Sequence, residues 1–239
     1  MEDNGQKLRK VMETTLSEVK PGVTLTELDQ VAEEKIGELG GKPSFKMVPR
    51  YYWATCINLN EGVVHGIPDD TPIKKGDYLS MDIGFYSQGF HTDMAKTIKV
   101  GSEKGKGRSD KFLEAGKKAL EEAIKQVKPD NRVGHLSQAI EETIKKAGYM
   151  PVKRLTGHGV GRQLHQKPNI PCFLKGKIKE TSLLKKGMVL AIEVIYTQGK
   201  PDLFVAGDGW TIRTQDGKIA GLFEETVAVG AGGPLILTD

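Results

Sequence analysis

Two apolar stretches each carry a carboxylate where a strand would bury it. Ile73-Lys74-Lys75-Gly76-Asp77-Tyr78-Leu79-Ser80-Met81-Asp82 and Leu184-Lys185-Lys186-Gly187-Met188-Val189-Leu190-Ala191-Ile192-Glu193 share one pattern. A basic turn ends in Gly, and an apolar strand follows with its acid six residues after that Gly. A carboxylate in such a strand is costly unless it is paired or holds a metal. Its occurrence twice, at matching points, predicts that Asp82 and Glu193 occupy equivalent places in two related sheets. Asp82 and Asp93 also flank a turn signal, Ser87-Gln88-Gly89. Pairing across Ser87 and Gln88 puts Asp82 directly opposite Asp93, with Cβ atoms about 5 Å apart. Carboxylates that close repel unless they share a proton or a cation. The competing expectation is that Asp93 lies past the strand end in solvent.

Gly157-His158-Gly159-Val160-Gly161-Arg162 adds an imidazole between glycines that free the backbone for positive φ and leave the ring accessible. His165 follows seven residues later, within reach of the same cleft, and His65 stands between an apolar strand and a turn. His91 and His135 have no special setting and read as surface residues. In Phe223-Glu224-Glu225-Thr226-Val227, strand alternation puts Glu224 with Thr226 and Glu225 with Val227, and either acid could be a ligand. Two aspartates, two glutamates and a histidine form a hard-to-borderline set suited to two ions such as Mn²⁺, Fe²⁺, Co²⁺ or Zn²⁺. Such a pair, about 3.5–4 Å apart, activates a bridging water and polarises a carbonyl. No nucleophile elbow, Walker loop or dinucleotide fingerprint is present. Gly101 to Gly107 reads as a flexible linker.

The elements that must position these residues repeat. Leu8, Val11, Met12, Leu16 and Val19 form one helical stripe that Pro21-Gly22 stops. Thr24-Leu25-Thr26-Glu27 is a capping box opening a second helix with Leu28, Val31, Ala32, Ile36 and Leu39 on its stripe, ending at Gly40-Gly41. The pattern recurs 108 positions later: Ala119, Leu120, Ile124 and Val127, then Pro129, then Leu136, Ile144 and Gly148. Either half alone would leave a helix face uncovered, so the expectation is one domain over 1–239 with an internal repeat of approximately 1–108 and 109–239. The fold class is α+β, each half a helix pair on a curved antiparallel sheet.

Composition narrows the partners. Against 31 acidic residues stand 35 basic ones, a net charge of +4, too mild for nucleic-acid binding; Lys74-Lys75 and Lys185-Lys186 read as solvated loop ends. The first residues show no secretory pattern, no apolar run is long enough for a membrane span, and two lone cysteines, Cys56 and Cys172, fit a reduced cytoplasm. Both cysteines read as small buried side chains.

Taken in order and spacing, these residues resemble the type I methionine aminopeptidases of the pita-bread fold. The resemblance is carried by Asn60-Glu61 through Gly66-Ile67-Pro68, Asp82 with Asp93, Gly157 to Arg162 with His165, Gly187-Met188-Val189 with Glu193, and Gly207-Asp208-Gly209-Trp210-Thr211 with Glu224. It implies a hydrolase that removes the initiator methionine from nascent polypeptides whose next residue is small. It also implies two divalent ions (Co, Mn, Fe, Zn or Ni) on Asp82, Asp93, His158, Glu193 and Glu224, with Asp93 and Glu224 bridging. Glu193 becomes the proton shuttle, His65 and His165 hold the substrate, and Tyr51, Cys56, Leu164 and Trp210 form the methionine pocket. A monomer in the cytoplasm, in transient contact with the ribosome, goes with it. Glu225 stands where many members have His, Leu164 replaces a bulky aromatic, Glu193-Val194 lacks a usual Pro, and Phe45 to Ala54 aligns poorly. Two other readings compete. Xaa-Pro or creatinase-like enzymes share the fold and metals but usually carry a large extra N-terminal domain, whereas helix 1 here begins within ten residues. A non-catalytic binding protein would usually have lost ligands, and all five are present.

Overall fold

The computed structural model describes residues 1–101 and 110–239; all but the first residue of the expected Gly101–Gly107 linker lies outside them. In chain order the elements are α1 (Glu2–Ser17), α2 (Leu25–Glu38), β1 (Lys42–Pro43), β2 (Thr55–Leu59), β3 (Gly62–Val64), β4 (Tyr78–Ser87) and β5 (Phe90–Lys99). Then follow α3 (Lys111–Ile124), α4 (Val133–Lys146), β6 (Met150–Pro151), β7 (Thr156–Gly159), β8 (Gln166–Pro171) and β9 (Val189–Thr197). The chain closes with β10 (Leu203–Val205), β11 (Ile212–Thr214), β12 (Ala220–Gly230) and β13 (Gly233–Ile236). A shift of 108 carries α2 onto α4, residue for residue at both ends.

The helices form where stripe and cap agree. Thr24 Oγ1 accepts from Glu27 N at 3.2 Å while Glu27 Oε2 accepts from Thr24 N at 2.7 Å, the reciprocal box expected. Such a cap stabilises a helix by about 1 kcal/mol. The second helix pair has a different device: Arg132 N donates to His135 Nδ1 at 2.9 Å. His135 is therefore half-buried at a helix start and not the free surface residue expected.

Burial does the rest. Leu8, Val11, Met12, Leu28 and Ile36 pack on Leu79, Met81, Ile83 and Met94. Ala119, Leu120, Leu136 and Ile140 pack on Leu190, Ile192, Val194 and Val227. Each large side chain so removed from water contributes about 1.5–3 kcal/mol. Because strand side chains alternate, every second residue of β4, β5, β9 and β12 faces the helices, and the residues between them face the other way.

The expected two sheets are one. All pairings are antiparallel, and strands of both halves join a ten-stranded sheet whose central order is β4-β5-β12-β9-β7-β8, with β5 and β12 meeting between the halves. A separate sheet, β10-β11-β3, holds the segments around His65 and Trp210. The β4–β5 hairpin turns on Gln88-Gly89, with Ser87 opposite Phe90. That moves the register two residues from the expectation: Asp82 pairs with Ala95, and Asp93 with Gly84. The type of turn decides it, since Gln88 (φ 51°) and Gly89 (φ 81°) both take the left-handed conformation of a two-residue loop. A slip of two keeps every side chain on its face, so Asp82 and Asp93 remain neighbours, diagonal and not opposite.

α1 also closes on the far end of the chain. A Cβ at Gly5 would lie 2.1 Å from the Leu237 carbonyl oxygen. Helix propensity alone favours Ala over Gly by roughly 1 kcal/mol, but this overlap is with backbone that cannot rotate away. Gly5→Ala is expected to lower unfolding stability by about 1–3 kcal/mol in a urea titration; a midpoint raised by the substitution would show that helix and Leu237 are not in contact.

Candidate metal centre

Five adjacent strands each deliver one residue to the same face. Asp82 comes from β4, Asp93 from β5, Glu224 from β12, Glu193 from β9 and His158 from β7. Register explains the convergence. Asp82 pairs with Ala95, Ala95 with Glu224, and Glu224 with Glu193, so four positions form one row across the sheet. Asp93 lies two residues from Ala95, and His158 pairs with Ala191, two from Glu193; a step of two preserves the face. Glu224 lies in this group, 2% exposed. Glu225 points to the helix side, where the Thr238 hydroxyl donates to its carboxylate.

The glycines around His158 serve a purpose other than the one expected. Neither Gly157 nor Gly159 has positive φ. A Cβ on Gly157 would sit 2.6 Å from the Ala191 carbonyl oxygen, and one on Gly159 would sit 2.4 Å from that of Lys167. They let β9 and the β7–β8 connection close tightly round the histidine.

A cavity of about 140 Å³ contains all five residues, with His65 and Phe45, Val48, Tyr51, Cys56, Val64, His165 and Trp210 around them. Larger hollows lie elsewhere among the described residues, including one mostly polar and one walled by Leu113, Leu120, Ile124 and Phe223 beside Glu225, and neither of these contains Asp82, Asp93, Glu193 or Glu224. His65 and His165 are exposed at the rim, and the His165 ring meets the His158 ring edge-on at 4.5 Å. His65 has a left-handed backbone (φ 55°), a conformation that costs a non-glycine residue energy and turns its ring toward the cavity. Phe45, Tyr51, Cys56 and Leu164 form one buried apolar cluster, with Val48, Trp53, Ile67 and Trp210 packed on it. Leu164 belongs to the cluster but stands behind the cavity wall. The Tyr51 hydroxyl donates to the Thr55 and Gly66 carbonyls at 2.7 and 3.2 Å, fixing the ring against Trp210 at 5.1 Å.

Sequence reasoning missed Phe45, Val48 and Val64; the first two lie in the stretch whose pattern was least regular. It also misjudged His91, which is buried, with Nδ1 2.9 Å from the Ser44 hydroxyl and its ring against Tyr86. Cys172 is buried as expected, and its thiol donates to the Glu193 carbonyl while accepting from Ile195 N, both at 3.4 Å.

Electrostatics sets the chemistry. Burial, then repulsion from neighbouring acids, pushes Asp93 and Glu224 well above the carboxylate range; burial and then Asp82 do so for Glu193. Burial raises Asp82 to about 7, against a side-chain hydrogen bond with Asp93. Burial first, then His165, lowers His158 to about 4, so its ring is neutral at pH 7. His158 Nδ1 donates to the Gly159 carbonyl at 3.0 Å, because a carbonyl can only accept. The lone pair is thereby held on Nε2, 3.6 Å from Glu193 Oε1 and 3.9 Å from Asp93 Oδ2. Those gaps are too long for direct hydrogen bonds. Buried Asp82 Oδ1, Asp93 Oδ1 and Glu224 Oε1 have no partner among the described residues. Ligand atoms of Asp93, His158 and Glu224 lie within 4.8 Å of one another. Unpartnered hard oxygens around a neutral imidazole fit a divalent cation.

Residues 1–231 match metallopeptidase family M24. The chain belongs to that family. It is similar to the methionine aminopeptidase of Aquifex aeolicus, 40% identical over 98% of this chain and 93% of the relative. It is similar also to methionine aminopeptidase 1 of Bacillus subtilis, 37% identical over all of this chain and 94% of the relative. The crystal structure of methionine aminopeptidase from Thermotoga maritima matches with a TM-score of 0.94 at 36% identity, over 100% of this chain and 95% of that one.

The raised carboxylates make a stability prediction for metal-free protein. Their folded pKa values exceed the unfolded ones, so the native state holds more protons and stability falls as pH rises through the folded values. The lowered histidines act oppositely, but only up to their ordinary 6.5. In excess chelator, the melting temperature should fall between pH values of about 6.5 and 8.5, and Mn²⁺ should remove the fall. A metal-free protein that gains stability over that range would contradict the cluster.

Proposed function

We propose that the chain is a methionine aminopeptidase that removes the N-terminal methionine from polypeptides whose second residue is small. The observation that carries the reading is the cluster of four acids, three with a buried oxygen unpartnered among the described residues, around a neutral His158 beside an apolar cavity. Asp82, Asp93, His158, Glu193 and Glu224 would hold two divalent ions (Co, Mn, Fe, Zn or Ni), with Asp93 and Glu224 bridging, to activate water and polarise the scissile carbonyl.

In this reading Glu193 is the proton shuttle. Its carboxylate accepts a proton from the attacking water and delivers one to the leaving amine. The histidines His65 and His165, at the cavity rim, hydrogen-bond the peptide and steady the tetrahedral intermediate. Tyr51, Cys56 and Trp210 take the methionine side chain, with Phe45 and Val48 beside them and Leu164 behind; a thioether packs well on aromatic edges. The cavity, about 140 Å³, is of a size to take one such side chain; a small second residue is what the resemblance to methionine aminopeptidases implies. Residues 1–239 act as one catalytic unit in this account, since strands of both halves build the row of acids. A monomer working in the cytoplasm on chains emerging from the ribosome completes it. Among the described residues no helix is long and apolar enough to cross a membrane.

With Mn²⁺ present, Met-Ala-Ser should be hydrolysed and Ala-Pro-Ala left intact; cleavage of the proline peptide alone would favour the Xaa-Pro reading. Glu193→Gln should reduce kcat by at least about 10²-fold with an unchanged circular dichroism spectrum. Wild-type protein inactive with every one of the five metals would favour the binding-protein reading.

A further inference from the structure

At the junction of the halves, backbone hydrogen bonds alone do not join β5 to β12. Glu224 pairs with Ala95. Two residues to either side, a threonine hydroxyl stands between the strands. Thr226 Oγ1 accepts from Asp93 N at 2.9 Å and donates to Asp93 O at 2.7 Å. Thr97 Oγ1 accepts from Leu222 N and donates to Leu222 O, both at 2.8 Å. Both threonines are buried, at 0 and 1% exposure. One hydroxyl has a donor and two acceptor sites, so each can satisfy both backbone groups of the residue opposite. A direct ladder would draw the strands to within about 5.5 Å between Cα atoms; an inserted hydroxyl keeps them further apart.

The arrangement is two-fold. Asp93, Ala95 and Thr97 on β5 face Thr226, Glu224 and Leu222 on β12, so Asp93 corresponds to Leu222 and Glu224 to Ala95. Two equivalent spacers exist, and only that of Thr226 grips a residue of the acidic cluster. We infer that Thr226 is a positioning residue: by holding Asp93 through both its backbone groups, it sets the separation of the Asp93 and Glu224 carboxylates. This rests on the metal-binding reading of the site.

Thr226 is itself pinned from behind. Its N–H donates to Thr238 Oγ1 at 3.0 Å and its carbonyl accepts from Leu237 N at 2.8 Å. The Thr238 hydroxyl donates in turn to Glu225. Glu225 thus serves the same chain of contacts from the helix side, as an anchor for Thr238.

The equivalent spacer supplies the control. Thr226→Val and Thr97→Val each keep the side-chain shape and leave one buried N–H and one C=O unpaired. Thr97 Oγ1 also accepts from the Ser80 hydroxyl at 2.8 Å, so both should lower the melting temperature of metal-free protein, Thr97→Val at least as much as Thr226→Val. Only Thr226→Val should weaken Mn²⁺ binding, by at least about tenfold in calorimetric titration of the full chain with manganese chloride. Thr97→Val should bind as wild type does, and Thr226→Ser, which retains the hydroxyl, should restore the affinity. Unchanged affinity in Thr226→Val, or an equal loss in Thr97→Val, overturns the inference. If Thr226→Val does not fold, Thr226→Cys, with a longer and weaker donor, carries the same expectation, and full affinity there overturns it. Wild-type protein that takes up no Mn²⁺ overturns the metal reading and this inference with it.

Discussion

Charge crowding is the constraint to which the rest of the structure answers. Asp82, Asp93, Glu193 and Glu224 approach one another in a cavity from which most water is excluded, and each is held above the ordinary carboxylate range by burial or by its neighbours. Four anions cannot share such a space without protons or cations. Among the described residues no side chain solves the problem: His158 is neutral, and three buried carboxylate oxygens lack a partner. A fold that spends stability on this arrangement needs a rigid support. It has one in two helix pairs, each burying a leucine- and isoleucine-rich stripe against the opposite face of the same strands.

The duplicated architecture accounts for how the charges come together. Equivalent strands β4 and β9 each bring an acid at the same position, and the strands between them, β5 and β12, meet across the pseudo-dyad. Departures from symmetry then make the site chemical. Glu224 has Ala95 as its counterpart and Asp93 has Leu222, so the repeat supplies the frame while single substitutions supply the ligands. The third element, the small β10-β11-β3 sheet, carries Trp210 and the segment of His65 to the cavity edge. Trp210 and His65 thus stand beside the acids from outside the ten-stranded sheet, while His165 comes from the β7–β8 connection of that sheet.

Much of this was legible in the chain because it rests on local patterns. The stripes of α1 to α4, the Thr24 capping box and the placing of Asp82 and Glu193 follow from periodicity. The β4–β5 register did not, because a turn centred one residue later shifts the partner by two, and alternation cannot detect a slip that preserves faces. His91 looked unremarkable in sequence since its burial comes from Ser44, 47 residues away in the chain, and from Tyr86, which faces it only in the hairpin register that the structure adopts. Phe45 and Val48 line the cavity from an irregular segment with no period to read. The choice between Glu224 and Glu225 needed either the family resemblance or the face each takes in β12. The roles of Thr97 and Thr226 depend on a strand pairing between residues more than a hundred positions apart, which no local signal reports.

The central claim, that these five side chains form a two-metal site, is tested most directly by anomalous diffraction. Crystals grown with Mn²⁺ should show, at the manganese absorption edge, two anomalous peaks about 3.5–4 Å apart, both bounded by Asp82, Asp93, His158, Glu193 and Glu224. Absence of any peak in this cavity, with the protein folded as described, would contradict the account.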